Sequence, residues 1–82
     1  MSNKKLLRKE YSYTVIYEPA KEGGYQVTAP LLPGLVTYGR NFEEARKMAR
    51  EAIRCHLEGL LKDKTRIPKE TAILQEKLTV AL

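Results

Sequence analysis

The sequence is short of nearly everything from which reaction chemistry is built. Its 82 residues hold one cysteine (Cys55), one histidine (His56), one aspartate (Asp63) and no tryptophan. A single thiol excludes an internal disulfide framework and any zinc site that needs several thiolates. No apolar run approaches the roughly 18 residues of a membrane span. The first ten residues lack the apolar stretch of a signal peptide, so a cytoplasmic protein is expected. Repeats, low-complexity tracts and linkers are missing too. What remains is 43% hydrophobic and 30% charged, the balance of an ordinary globular domain. A chain this short buries only about 60% of the surface it exposes when unfolded, so one modest core is the limit.

The net charge of +5 is unevenly spread. Lys4, Lys5, Arg8, Lys9 and Glu10 give residues 1–10 a net +3, and residues 11–82 carry only +2. The sequence therefore divides into a basic N-terminal arm, 1–10, and a single folded domain, 11–82. Such an arm suits an anionic partner or is simply a solvated terminus.

Tyr11 to Glu18 alternates, with Tyr11, Tyr13, Val15 and Tyr17 on one side and Ser12, Thr14, Ile16 and Glu18 on the other. Aromatic and β-branched residues at period two predict a half-buried strand. Lys21-Glu22-Gly23-Gly24 supplies a hairpin turn, and Tyr25 to Ala29 resumes the alternation. Pro30 and Pro33-Gly34 make a rigid bend, after which Leu35 to Tyr38 reads as a third strand ended by Gly39.

A helix is predicted over 42–62. Asn41 followed by Glu44 matches a capping pair, in which a side-chain oxygen takes a free N–H and the carboxylate reaches back. Phe42, Ala45, Ala49, Ala52, Ile53, His56, Leu57 and Leu60 fall on one apolar face at 100° per residue. Beyond a polar loop with Pro68, Leu78, Val80 and Leu82 alternate with Lys77, Thr79 and Ala81, which predicts a closing strand that must find a partner. The order β-β-β-α-β makes an antiparallel meander, a crossover helix and a last strand parallel to the first. This is a two-layer α/β sandwich of the α+β kind, with a polar second sheet face of Ser12, Thr14, Gln26, Thr28, Lys77 and Thr79. It resembles the first part of a ribonuclease H fold. Uncovered edges and that open face lead to the expectation of a homodimer or higher homo-oligomer.

Ribonuclease H nucleases hold two metal ions on clustered strand carboxylates. Here the strands offer only Glu18 and Glu76, both at strand ends. Cys55 and His56 are adjacent on the helix, diverge by about 100° and cannot form a nucleophile–base pair. His56 sits on the apolar face and reads as a packed histidine; Cys55 reads as packing at its margin. The Gly23-Gly24 pair joins strands, whereas a phosphate cradle opens a helix. No catalytic, metal or cofactor residues are assigned. The one less ordinary pattern is Arg46, Arg50 and Arg54 at i, i+4 and i+8, which is either a solvated helix face or a stripe for phosphates or an acidic partner surface.

From Tyr13 to Pro68 the chain resembles the HicB-like antitoxin family. The resemblance rests on Tyr13-Thr14-Val15-Ile16-Tyr17-Glu18-Pro19, Gly23-Gly24-Tyr25 and Pro30-Leu31-Leu32-Pro33-Gly34. It continues through Thr37 and Gly39, Glu43-Glu44-Ala45, Glu51-Ala52-Ile53 and Leu57-Glu58. It implies a partial ribonuclease H fold and a non-enzymatic protein, an antitoxin or a solitary relative, that pairs with and masks a small HicA-type RNA-cleaving toxin. Many members also carry a C-terminal DNA-binding domain, which is not read in these 82 residues. The runner-up from the residues alone is a basic nucleic-acid-binding module using the Arg46, Arg50 and Arg54 stripe.

Overall fold

A computed structural model describes residues 9–82. The basic arm expected over 1–10 lies outside the described residues except for Lys9 and Glu10, both exposed. Three strands and one helix follow in chain order: β1 (Ile16–Pro19), β2 (Tyr25–Thr28), β3 (Val36–Gly39) and α1 (Phe42–Lys62). The strands form one antiparallel sheet in the order β1-β2-β3, with Tyr17 opposite Val27 and Val27 opposite Thr37. The class is therefore α+β, as the alternation and the helical period require.

Each turn is closed by the chemistry at hand. Between β1 and β2, Ala20 N–H donates to the Gly24 carbonyl and Gly23 N–H to that of Ala20. Gly24 lies at φ +77, and a side chain there would run into the Gly39 carbonyl and the Tyr38 ring. Between β2 and β3, successive turns bond Leu32 to Ala29 and Leu35 to Leu32. They fold Ala29, Leu32 and Leu35 into one buried cluster, on which Tyr13, Ala52, Ile53 and Leu57 pack.

The helix spans the predicted residues, and its cap is built slightly differently. The Asn41 side chain accepts from Glu44 N–H at 2.8 Å, as expected. The Glu44 carboxylate reaches one residue further back, taking the Arg40 N–H at 2.6 Å and the Arg40 guanidinium besides. Those two contacts hold the carboxyl of Glu44 below its usual range, and the side-chain one pushes the Arg40 guanidinium higher still. Ala45 and Ala49 are the buried helical residues, pressed against Val27 with Val15, Tyr17 and Tyr25 around them. Closest approach comes at Gly39, where an added methyl would collide with the backbone of Ala45. Phe42 is half exposed rather than core, and its ring sits edge-on to Tyr17 and Tyr25.

Three expectations need correcting. The first strand starts at Ile16, not Tyr11. Its partner β2 ends at Thr28, and Pro30 beyond it has no N–H to offer, so the chain leading into β1 has no ladder to join. The closing strand over 77–82 is not part of the sheet; none of residues 65–82 is helix or strand, and 71–82 are exposed throughout. Just before β1, the Glu70 carboxylate accepts from both the N–H and the hydroxyl of Thr14 and holds the segment after the helix there. Finally, the open sheet face is less polar than expected. Ile16, Thr28 and Val36 form one cross-strand row on it, and Glu18, Gln26 and Tyr38 form the next.

Candidate functional site

α1 lies across β3 and β2, so the chain entering β1 stands beside the helix without being covered by it. Between them runs an open groove of about 690 Å³. Tyr11 and Tyr13 form one wall, and Ile53, Leu57 and Leu61 form the other. The spacing explains the fit: alternate residues of an extended chain share a side, and residues four apart share a helix face. Lys9, Arg50 and Arg54 stand at the rim, with Glu58 the single acid among them.

The arginine stripe is thereby divided. Arg50 and Arg54 line the groove, whereas the Arg46 guanidinium lies 5.9 Å from the centre of the Phe42 ring, within the range of a cation–π contact. The structure places Arg46 at the start of the helix and the other two beside an apolar floor.

One wall of the groove is fastened from behind. The Tyr13 hydroxyl donates to the Pro68 carbonyl at 2.5 Å, and Thr14 N–H donates to Glu70 at 2.8 Å. Burial pushes the Tyr13 hydroxyl above its ordinary pKa of 10.0, helped by the nearby Tyr11 and Glu70. Nothing in the sequence marks Glu70 for this task, because a lone glutamate in a polar loop has no pattern. The tyrosines were legible as an inward-facing row; that the row ends in a groove depends on where α1 comes to rest.

The groups that could carry reaction chemistry stay dispersed. Cys55 is exposed and His56 half-buried on the same helix. No group of three or more His, Cys, Asp or Glu side chains that could hold a metal ion is found among the described residues. No helix among them is long and apolar enough to cross a membrane.

Comparison with known proteins agrees with these observations. Residues 13–79 match the model of a family described as the HicB-like antitoxin of bacterial toxin–antitoxin systems. A UPF0150 protein of Thermoplasma acidophilum, Ta0767, is 41% identical over 68 residues, covering 83% of this chain and 94% of its own length. The UPF0150 protein ssr1765 of Synechocystis is 38% identical over 65 residues, 79% of this chain and 82% of the relative. Antitoxin HicB 1 of Photorhabdus laumondii is 36% identical over 74 residues, 90% of this chain but 48% of the antitoxin, so the present chain spans about half of that protein. The match takes in Tyr13, the three strands and the helix, and the chain belongs to the HicB-like antitoxin family of bacterial toxin–antitoxin systems.

Proposed function

We propose that this protein is a non-catalytic antitoxin that binds and masks a small RNA-cleaving toxin of the HicA type in the cytoplasm. The family match over residues 13–79 carries the reading, and the similarity to Antitoxin HicB 1 of Photorhabdus laumondii supports it. The same reading takes the three strands and helix as a partial ribonuclease H arrangement within one domain over 11–82, without the carboxylate cluster that the nucleases use.

Masking a toxin calls for a rigid surface that exists before the partner arrives. The open sheet face supplies one. Val36 and Tyr38 are exposed on β3 and stand in rows with Ile16 and Gln26, and the Tyr38 hydroxyl is fixed to the Gly23 carbonyl at 2.7 Å. A mixed apolar and polar face with an exposed, pre-ordered aromatic on its edge strand is the kind of surface on which binding energy concentrates. We assign the toxin contact to this face.

The test is co-expression of the chain with a small histidine-containing protein encoded beside it. Co-purification of the two and suppression of the partner's RNA cleavage are the expected results, with both lost on Val36→Asp. If the neighbour cleaves RNA equally with and without a stoichiometric amount of this chain, the reading fails.

A further inference from the structure

Residues 71–82, Thr-Ala-Ile-Leu-Gln-Glu-Lys-Leu-Thr-Val-Ala-Leu, are exposed throughout and pair with no strand among the described residues. Leu74 is 96% exposed, Leu78 75% and Val80 78%. The Cα radius of gyration is 16.0 Å, against about 12 Å for a compact chain of this length, as it must be when a segment does not fold back. An exposed segment with apolar residues at alternate positions is an invitation to pair with another chain. On the same molecule, the groove between Tyr11, Tyr13 and α1 is open, with an apolar floor and a charged rim.

We infer that the C-terminal segment of one copy seats in the groove of a second copy, and that the exchange is reciprocal. Three features fit segment to groove. Leu78, Val80 and Leu82 share one side of an extended chain and span about 13 Å. Ile53, Leu57 and Leu61 share one side of α1 and span about 12 Å. The two apolar rows therefore match in length and in number.

Charge then fixes the direction. Glu76 lies two residues before Leu78, on the same side of an extended segment. Arg50 and Arg54 stand at the Ile53 end of the helical row, on the groove's rim. With Glu76 at the arginines, Leu78 meets Ile53, Val80 meets Leu57 and Leu82 meets Leu61. The occupant is a second copy because in the single chain the segment stands clear of its own groove, and Glu70 on Thr14 anchors it at the outer side of the tyrosine wall. Two segments exchanged about a twofold axis close the assembly and leave no strand over. The open sheet face that we assign to the toxin is not used.

The purified full chain, without any toxin, is expected to run as a dimer by light scattering at tens of micromolar. Leu78→Asp should raise the dissociation constant at least tenfold with the circular dichroism spectrum unchanged, because Leu78 is 75% exposed in the single chain. Arg50→Glu with Arg54→Glu should weaken the dimer likewise, and adding Glu76→Arg should restore it. In a Cys55→Ser background, chains carrying Leu61→Cys mixed with chains carrying Leu82→Cys should form a disulfide between copies on oxidation. A monomeric full chain overturns the inference. So does a dimer indifferent to Leu78→Asp and to the charge swap, or a chain carrying both cysteines that links only to itself. Each of these results is independent of whether a toxin binds.

Discussion

Gly39 and Gly59 invite the same substitution with opposite consequences. At Gly39 an added methyl meets the backbone nitrogen and Cα of Ala45 in the first turns of α1, and neither can rotate away. Relief requires moving the helix off β3, so Gly39→Ala is an overpacking change costing about 1–3 kcal/mol. At Gly59 the methyl meets nothing, and glycine there costs the helix interior roughly 0.5–1 kcal/mol relative to alanine. For a domain of this size each kcal/mol shifts the melting midpoint by about 4–8 °C. Gly39→Ala should therefore lower Tm by roughly 4–24 °C, and Gly59→Ala should raise it by roughly 2–8 °C. The assay is thermal denaturation followed at 222 nm, with all three proteins at one concentration because self-association would otherwise shift the midpoints. A Gly39→Ala protein melting with or above the parent would refute the close packing of α1 on β3. Equal shifts of the same sign would show that backbone entropy, not contact, governs both sites.

Leu32 is 1% exposed at the centre of the cluster with Ala29 and Leu35, and Leu32→Ala should cost about 2–5 kcal/mol. Against a total stability of roughly 4–12 kcal/mol, urea denaturation should find the variant partly or wholly unfolded. Asn41→Ala removes the bond from Glu44 N–H and should cost about 1 kcal/mol, with Asn41→Asp close to the parent in the same titration. Tyr13 holds its proton longer in the folded state than in the unfolded one. Its contribution to stability is thus complete below pH ~10 and is lost as pH rises through its raised value. Ultraviolet titration should show a tyrosine ionising above the ordinary value of 10.0, and Tyr13→Phe should remove that step.

Much of the fold could be read from residue types because local rules and tertiary packing agree there. The helix from Phe42 to Lys62 carries its own cap in Asn41, its acidic first turn in Glu43 and Glu44, and a small-residue face in Ala45 and Ala49. The hairpin between β1 and β2 is written in Gly23 and Gly24, both at positive φ. The failures lie where one chain's pattern is correct and its destination is not a local matter. Leu78, Val80 and Leu82 have the period of a strand, but period says nothing about which edge receives them. The Thr14–Glu70 bonds ahead of β1 join residues 56 apart and leave no trace in either neighbourhood. The candidate site divides in the same way. Arg50 and Arg54 were visible as charges at i and i+4, and only the resting place of α1 beside Tyr11 and Tyr13 shows that they border an apolar groove.

The short connections among β2, β3 and α1 also set the order in which the molecule comes together. Arg40 and Asn41 alone separate β3 from α1, and Val27, Ala45 and Ala49 meet within 23 positions of one another. Closing such small loops costs little chain entropy, so the sheet and helix can assemble from neighbours in the chain. Tyr13 to Pro68 and Thr14 to Glu70 are the long closures, and they need the helix in place before their partners lie side by side. Refolding should accordingly begin with a fast phase whose rate is slowed by Val27→Ala and untouched by Glu70→Gln. On a ribosome, the core elements would already be in hand once the helix had cleared the tunnel, leaving the segment after Pro68 to be settled last.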